Sequence, residues 1–150
     1  MPTIELITEI NAPLSVVFDL SRSVDVHVES LAHTNERPIA GVKSGCMGMD
    51  DWVTWQAKHL GFTWKLTSLI TEFDSPHSFT DEMVQGPFKM MVHRHTFLDE
   101  AGRTVMKDVF EYEAPMGWLG RLADVVFLRS YMQKLLSSRN AVLKANAEKR

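Results

Sequence analysis

Four side chains able to move protons or hold a polar ligand fall in the second half of the chain: Asp81, His93, His95 and Asp108. The histidines are two apart, in the run MMVHRHTF. Residues two apart on a strand share a face, so His93, His95 and Phe97 point one way and Arg94 and Thr96 the other. In the next run Met106, Asp108 and Phe110 share a face, with Lys107 and Glu111 opposite. If Asp99 pairs with Gly102 across the turn between the runs, His93 lies opposite Asp108. A one-residue slip would send one of them to the other side. Asp81 shares a face with Phe79 and Met83. It either approaches His93 from a neighbouring strand or is a surface charge.

This group supports several chemistries. It can be a buried hydrogen-bonded pair that orders the sheet. It can be a polar patch that orients a ligand in an otherwise apolar pocket, with Asp108 fixing the tautomer of His93. His93 and Asp108 are also the candidate catalytic pair for acid–base chemistry of the kind that aldol cyclisation and dehydration need. Two histidines and a carboxylate match an iron facial triad as well, but a His-x-His pair is common, and no metal or other cofactor is expected.

The elements that must hold these residues follow from periodicity. Thr3 to Ile10 alternates as a strand. Leu14, Val17 and Phe18 repeat at helical spacing behind Asn11 and Pro13, and Ser21 or Ser23 opens a second short helix. The segment from Glu36 to Met49 mixes strand and loop signals. Strands are then predicted at 52–60, 62–73, 77–84, 88–98 and 103–113, joined by short turns as an antiparallel meander. Past Pro115 the period changes, predicting one helix over about 118–147. Its apolar stripe includes Leu122, Val125, Val126, Met132, Leu136 and Leu143, broad enough to need a concave partner. The fold class is α+β: a curved antiparallel sheet of six or seven strands around a long C-terminal helix, with two short helices after the first strand, in one domain over 1–150. Trp55, Trp64, Met91, Phe97, Met106, Phe110 and Met132 are expected to border one cavity, with Phe62 as an alternative to Trp64.

Composition excludes other classes. An apolar share of 45% and a charged share of 23% suit a globular domain rather than a disordered one. A net charge of -3, with acids and bases mixed along the chain, argues against nucleic acid as a partner and against a polybasic membrane anchor. The single cysteine, Cys46, cannot form an internal disulfide. No apolar run is long enough to span a membrane. The acidic start, MPTIELITEI, lacks a signal-peptide core, so a cytoplasmic location is expected.

Three segments carry a resemblance: NAPLSVVFDLSRSVDVHVESL, FDSPHSFTDEMVQGPFKMMVHRHTF and GRTVMKDVFEYEAPMGWLGRLAD. In their order and spacing they resemble the SRPBCC superfamily of START-like, helix-grip proteins, and within it a bacterial subgroup similar to polyketide cyclase/dehydrase-like proteins. The resemblance spans nearly the whole chain and implies a cavity between the sheet and the long helix. It implies binding of a small hydrophobic or amphipathic molecule, lipid-like or aromatic. The alternatives are a metal-free cyclase/dehydratase and a regulatory or interaction protein with a vestigial cavity. A shared fold does not choose among these.

Overall fold

Burial alternates along the strands as the sequence pattern requires. In β1 (Thr3–Ile10), Ile4 and Ile10 are buried while Glu5, Ile7 and Glu9 face solvent. The computed structural model describes residues 2–149; of the expected 1–150 domain, Met1 and Arg150 lie outside the described residues. Two short helices follow, α1 (Leu14–Ser21) and α2 (Val24–Ser30). Pro13, not Asn11, caps α1, and the Ser23 hydroxyl caps α2 by accepting from the Val26 amide at 3.2 Å. The ambiguous stretch contains a short strand, β2 (Arg37–Gly41).

Five longer strands complete the sheet: β3 (Trp52–His59), β4 (Phe62–Asp74), β5 (Ser78–Gln85), β6 (Met90–Glu100) and β7 (Arg103–Glu113). All pairings are antiparallel, in the order β1-β7-β6-β5-β4-β3-β2. The expected six or seven strands are seven. The sheet curves around the C-terminal helix.

The β6–β7 hairpin turns at Ala101 and Gly102, with φ of 54° and 87°. Two positive φ values make a type I′ turn, and glycine takes the second at no steric cost. Glu100 therefore pairs with Arg103, and the expected Asp99–Gly102 pairing is not formed. The offset moves each partner by two residues, so the face of every side chain is kept.

The C-terminal helix is interrupted. It runs as α3 (Gly117–Ala123), a π-helical turn (Asp124–Leu128) and α4 (Arg129–Glu148). Asp124 is held inside the fold, accepting hydrogen bonds from the Tyr112 hydroxyl and, at 3.0 Å, from Arg129. Burial, and then the Asp124 carboxylate, raise the Tyr112 pKa above its ordinary value, so the phenol keeps its proton. A π turn adds a residue, which offsets the faces before and after it by about 100°. Leu122, Val125 and Val126 are consequently exposed, not part of the buried stripe that holds Leu136 and Leu143. The continuous stripe expected from the sequence stops at the π turn.

The concave face is filled unevenly. At one end α1 and α2 lie on the sheet. Phe18 meets Phe73, Phe79 and Phe97 edge-on at centroid distances of 5.5, 5.7 and 5.3 Å, with Met106, Leu143 and Ala147 in the same cluster. Toward the other end α1 no longer covers the sheet, and a cavity remains that Val24 and His27 of α2 help to line.

Candidate functional site

The cavity has a volume of about 440 Å³. Its wall is mostly apolar: Trp55, Ile70, Met91, Phe110, Met132 and Leu136 take part. Ser68, Asp81, His93, His95 and Arg139 interrupt this lining from strands β4, β5 and β6 and from α4. His59 Nδ1 and the Tyr131 hydroxyl lie 2.7 Å apart and tie the end of β3 to α4 beside the mouth.

Trp55, Trp64, Asp81, Met91, His93, His95, Phe110 and Met132 all reach this wall. Phe97, Met106 and Asp108 do not. Phe97 and Met106 face the concave side as alternation requires, but at the end covered by α1, where they are packed solid. Phe62 is exposed on the β3–β4 hairpin, and Trp64 lies on the wall, its indole donating to the His59 carbonyl at 3.0 Å. Asp108, 1% exposed, lies behind the histidines.

The polar patch is a clamp of two carboxylates on two histidines. Asp81 on β5 pairs across the strands with His93, and Asp108 on β7 with His95. The side-chain bonds run diagonally instead: His93 Nε2 donates to Asp108 Oδ1 at 2.8 Å, and His95 Nε2 donates to Asp81 Oδ1 at 2.8 Å. Diagonal neighbours on one face are within reach of long side chains. The imidazoles stack at 3.8 Å, with Phe79 on the other face of His95 at 4.1 Å. Asp81 also accepts from Ser68 at 3.0 Å.

Two further residues complete the network, Arg139 and Asn140, and both were missed in the sequence. Asn140 donates to Asp108 Oδ2 at 2.8 Å, and an Arg139 Nη1 lies 3.5 Å from Asp108 Oδ1. Arg139 also donates to Asn140 Oδ1 at 3.0 Å and to the Ser21 carbonyl at 3.1 Å. Their positions fall between Leu136 and Leu143 at helical spacing, so two polar residues on the buried stripe were the signal.

The protonation states follow from these contacts. Burial alone would raise both carboxylates, but hydrogen bonds and charge from His95, with Ser68, hold Asp81 well below the usual carboxylate range. His93, His95 and Arg139 do the same for Asp108. Burial and the neighbouring His95 charge push His93 down from 6.5 to about 4, against the pull of Asp108. For His95 burial also opposes the charge, yet Asp108 and Asp81 outweigh it and its pKa is raised. The cluster thus holds two carboxylates, a guanidinium, a His95 biased toward its cationic form and a neutral His93.

An ionised Asp108 can only accept, so the proton of neutral His93 sits on Nε2. His93 Nδ1 then carries a lone pair, and it has no hydrogen-bond partner among the described residues. The ligating atoms of Asp81, His93 and His95 lie within 4.8 Å of one another, so a cation could be held there. Since both Nε2 atoms already serve carboxylates, His93 would reach it through Nδ1, and His95 only by giving up its ion pair.

No protein-family model matches the chain, and no curated protein matches it in sequence. Solved structures do. TTHA0849 from Thermus thermophilus superposes with a TM-score of 0.79 at 19% identity, covering 97% of each chain. The Zhui aromatase/cyclase from Streptomyces sp. R1128 gives a TM-score of 0.79 at 13% identity, over 99% of this chain and 94% of that one. Ginseng major latex-like protein 151 from Panax ginseng gives 0.65 at 19% identity, over 97% of each. The chain has the helix-grip fold. A helix-grip sheet leaves room beneath its helix, and here that room ends on the His93–His95 clamp.

Proposed function

We propose that this protein, as a member of the SRPBCC superfamily, binds a small, largely apolar molecule in the cavity between sheet and helix and orients it by one hydroxyl group. The observation that carries this is a mostly apolar wall on which, within the clamp, a neutral His93 has an Nδ1 free to accept. Ligand pockets are commonly built so, with a few fixed polar groups in an apolar lining. A phenol or alcohol donates to Nδ1, while Asp108, Asn140 and Arg139 fix the ring from behind. Aromatic or lipid-like alcohols fit the lining.

Acid–base catalysis by the His93–Asp108 pair is the weaker reading. A general base works best with a pKa near the operating pH, and His93 is pushed to about 4. His95, the more basic ring, is biased toward its cationic form between two carboxylates. The clamp suits orientation better than turnover.

The test is isothermal titration with 2-naphthol, on the native chain and on Ala57→Trp, which fills the cavity from β3. The native protein binds one equivalent saturably, and the filled variant, still folded by circular dichroism, does not. Absence of saturable binding to the native chain, or equal binding by the filled variant, overturns the proposal.

A further inference from the structure

The mouth of the cavity opens beside a field of exposed apolar side chains. On α3 and the π turn, Trp118, Leu119, Leu122, Val125 and Val126 follow one helical stripe and are all exposed, Val125 by 75% and Trp118 by 67%. A stripe at this spacing normally faces a core. Here the π turn and the inward Asp124 direct it to solvent. Leu60 and Phe62 on the β3–β4 hairpin add to the patch. Leu60, Trp64 and Phe127 are both exposed and part of the cavity wall, so apolar surface runs without a break from the interior to the outside. Isolated exposed apolar residues need no explanation, whereas a continuous field beside a pocket does.

Charge indicates what covers it. The antiparallel order puts the β3–β4 hairpin, the β5–β6 turn, the end of β7 and the start of α3 at one end of the molecule. That end carries exposed Lys58, Lys65, Lys89, Arg121 and Arg129. Among the carboxylates at this end, Glu36, Glu113 and Asp124 are buried or half-buried and face His27 at 3.3 Å, Lys89 at 3.7 Å and Arg129 at 3.0 Å, Glu111 faces Arg94 at 3.0 Å, and Glu82 is half-buried. Lys58, Lys65 and Arg121 have no acidic partner among the described residues. The opposite end, where the other strand termini lie, exposes Asp50, Glu72, Asp74, Asp99 and Glu100, with Lys43 and Arg103 as exposed cations among them. Exposed cations predominate at the mouth end and exposed carboxylates at the other.

We infer that the mouth end docks on an anionic lipid bilayer, with the α3 stripe seated among the headgroups and the cations on the lipid phosphates. An exposed apolar helix face carrying a tryptophan and flanked by Lys and Arg is the pattern of helices that lie in a membrane interface. An acidic protein partner would match the charge, but a protein interface intersperses hydrogen-bonding groups through its apolar area, and this stripe offers only the Trp118 indole N–H, a group at home at a membrane interface. No helix among the described residues is long and apolar enough to cross a membrane; the contact inferred is a peripheral one. The inference goes beyond the ligand-binding proposal and stands or falls without it.

The test is flotation of the full chain with vesicles of phosphatidylcholine alone and with added phosphatidylglycerol, at low and high salt. The native chain floats with the anionic vesicles and less so in high salt. Val125→Glu, at a position exposed enough to leave folding intact, weakens this by tenfold or more, since roughly a valine's burial is lost and a charge is added. Lys65→Gln and Arg121→Gln each weaken it by about fivefold. Ala57→Trp floats as well as the native chain, which separates this test from that of the cavity. No flotation with anionic vesicles overturns the inference. So does flotation that Val125→Glu leaves unchanged, or a dimer in sedimentation that Val125→Glu dissolves while vesicle binding is absent.

Discussion

The two ends of the concave face have the same strand alternation and opposite fates. At the covered end, Phe97 and Met106 point inward and are packed solid beneath α1 by Phe18. A few residues along the same strands, His93 and Phe110 also point inward and meet open space. The difference lies outside the sheet: α1 lies over one end, and the helix above the other end turns its aliphatic side chains outward at the π turn. A strand pattern therefore tells which residues face the concave side, but the covering elements decide whether that side is core or cavity.

Substitutions at the two ends should separate sharply. The largest expected effect is at the covered end, where Phe18→Ala removes a ring that touches three others and costs about 3–5 kcal/mol. Val125→Ser at the open end stays within about 0.5 kcal/mol. Urea unfolding of both variants checks this, and comparable losses would mean that the open end is packed as core.

Next is the clamp. Asp108→Asn leaves Arg139 and His95 facing a neutral group and weakens the acceptor of His93. We expect a loss of about 2 kcal/mol, with His95 losing one of the two carboxylates that keep it charged. Imidazole NMR shifts should then show a lower His95 pKa. An unchanged His95 titration would mean that Asp81 alone holds the charge.

A smaller effect is in pH. His93 has a folded pKa of about 4 against an ordinary 6.5, so the unfolded chain binds more protons between these values. Stability falls as pH drops through that window, by on the order of 3 kcal/mol near its acid end. His95 has the opposite sign: its raised pKa gives stability that is fully present below 6.5 and is lost as pH rises through the folded value. As pH is lowered from 6.5 to 4, urea midpoints should decline more steeply for the native chain than for His93→Phe. Parallel curves would contradict a neutral His93.

Much of this was legible in the sequence. Period-2 alternation marked the long strands and put His93, His95 and Asp108 on one face. The partnership of His93 with Asp108 was expected for a different geometric reason. Glycine placed the type I′ turn one position later, so the two residues are diagonal rather than opposite, yet a two-residue offset keeps faces and the long imidazole closes the gap. What was not legible depends on context that periodicity lacks. A helical wheel assumes an unbroken helix, and the π turn at Asp124 hid the outward stripe. Arg139 and Asn140 were on the buried side by spacing, but only the fold shows that Asp108 waits there. Nothing along the strands of Phe97 and Met106 says that α1 lies above them.

The central claim is that His93 Nδ1 orients a hydroxyl in the cavity. Titration of the native chain and His93→Phe with 2-naphthol and with 2-methoxynaphthalene tests it most directly, because the ether keeps the shape and removes the donor. The account predicts that the native chain prefers the naphthol by roughly tenfold, the worth of one buried hydrogen bond, and that His93→Phe binds the two alike. Equal affinity in the native chain, or a preference that survives His93→Phe, would contradict it.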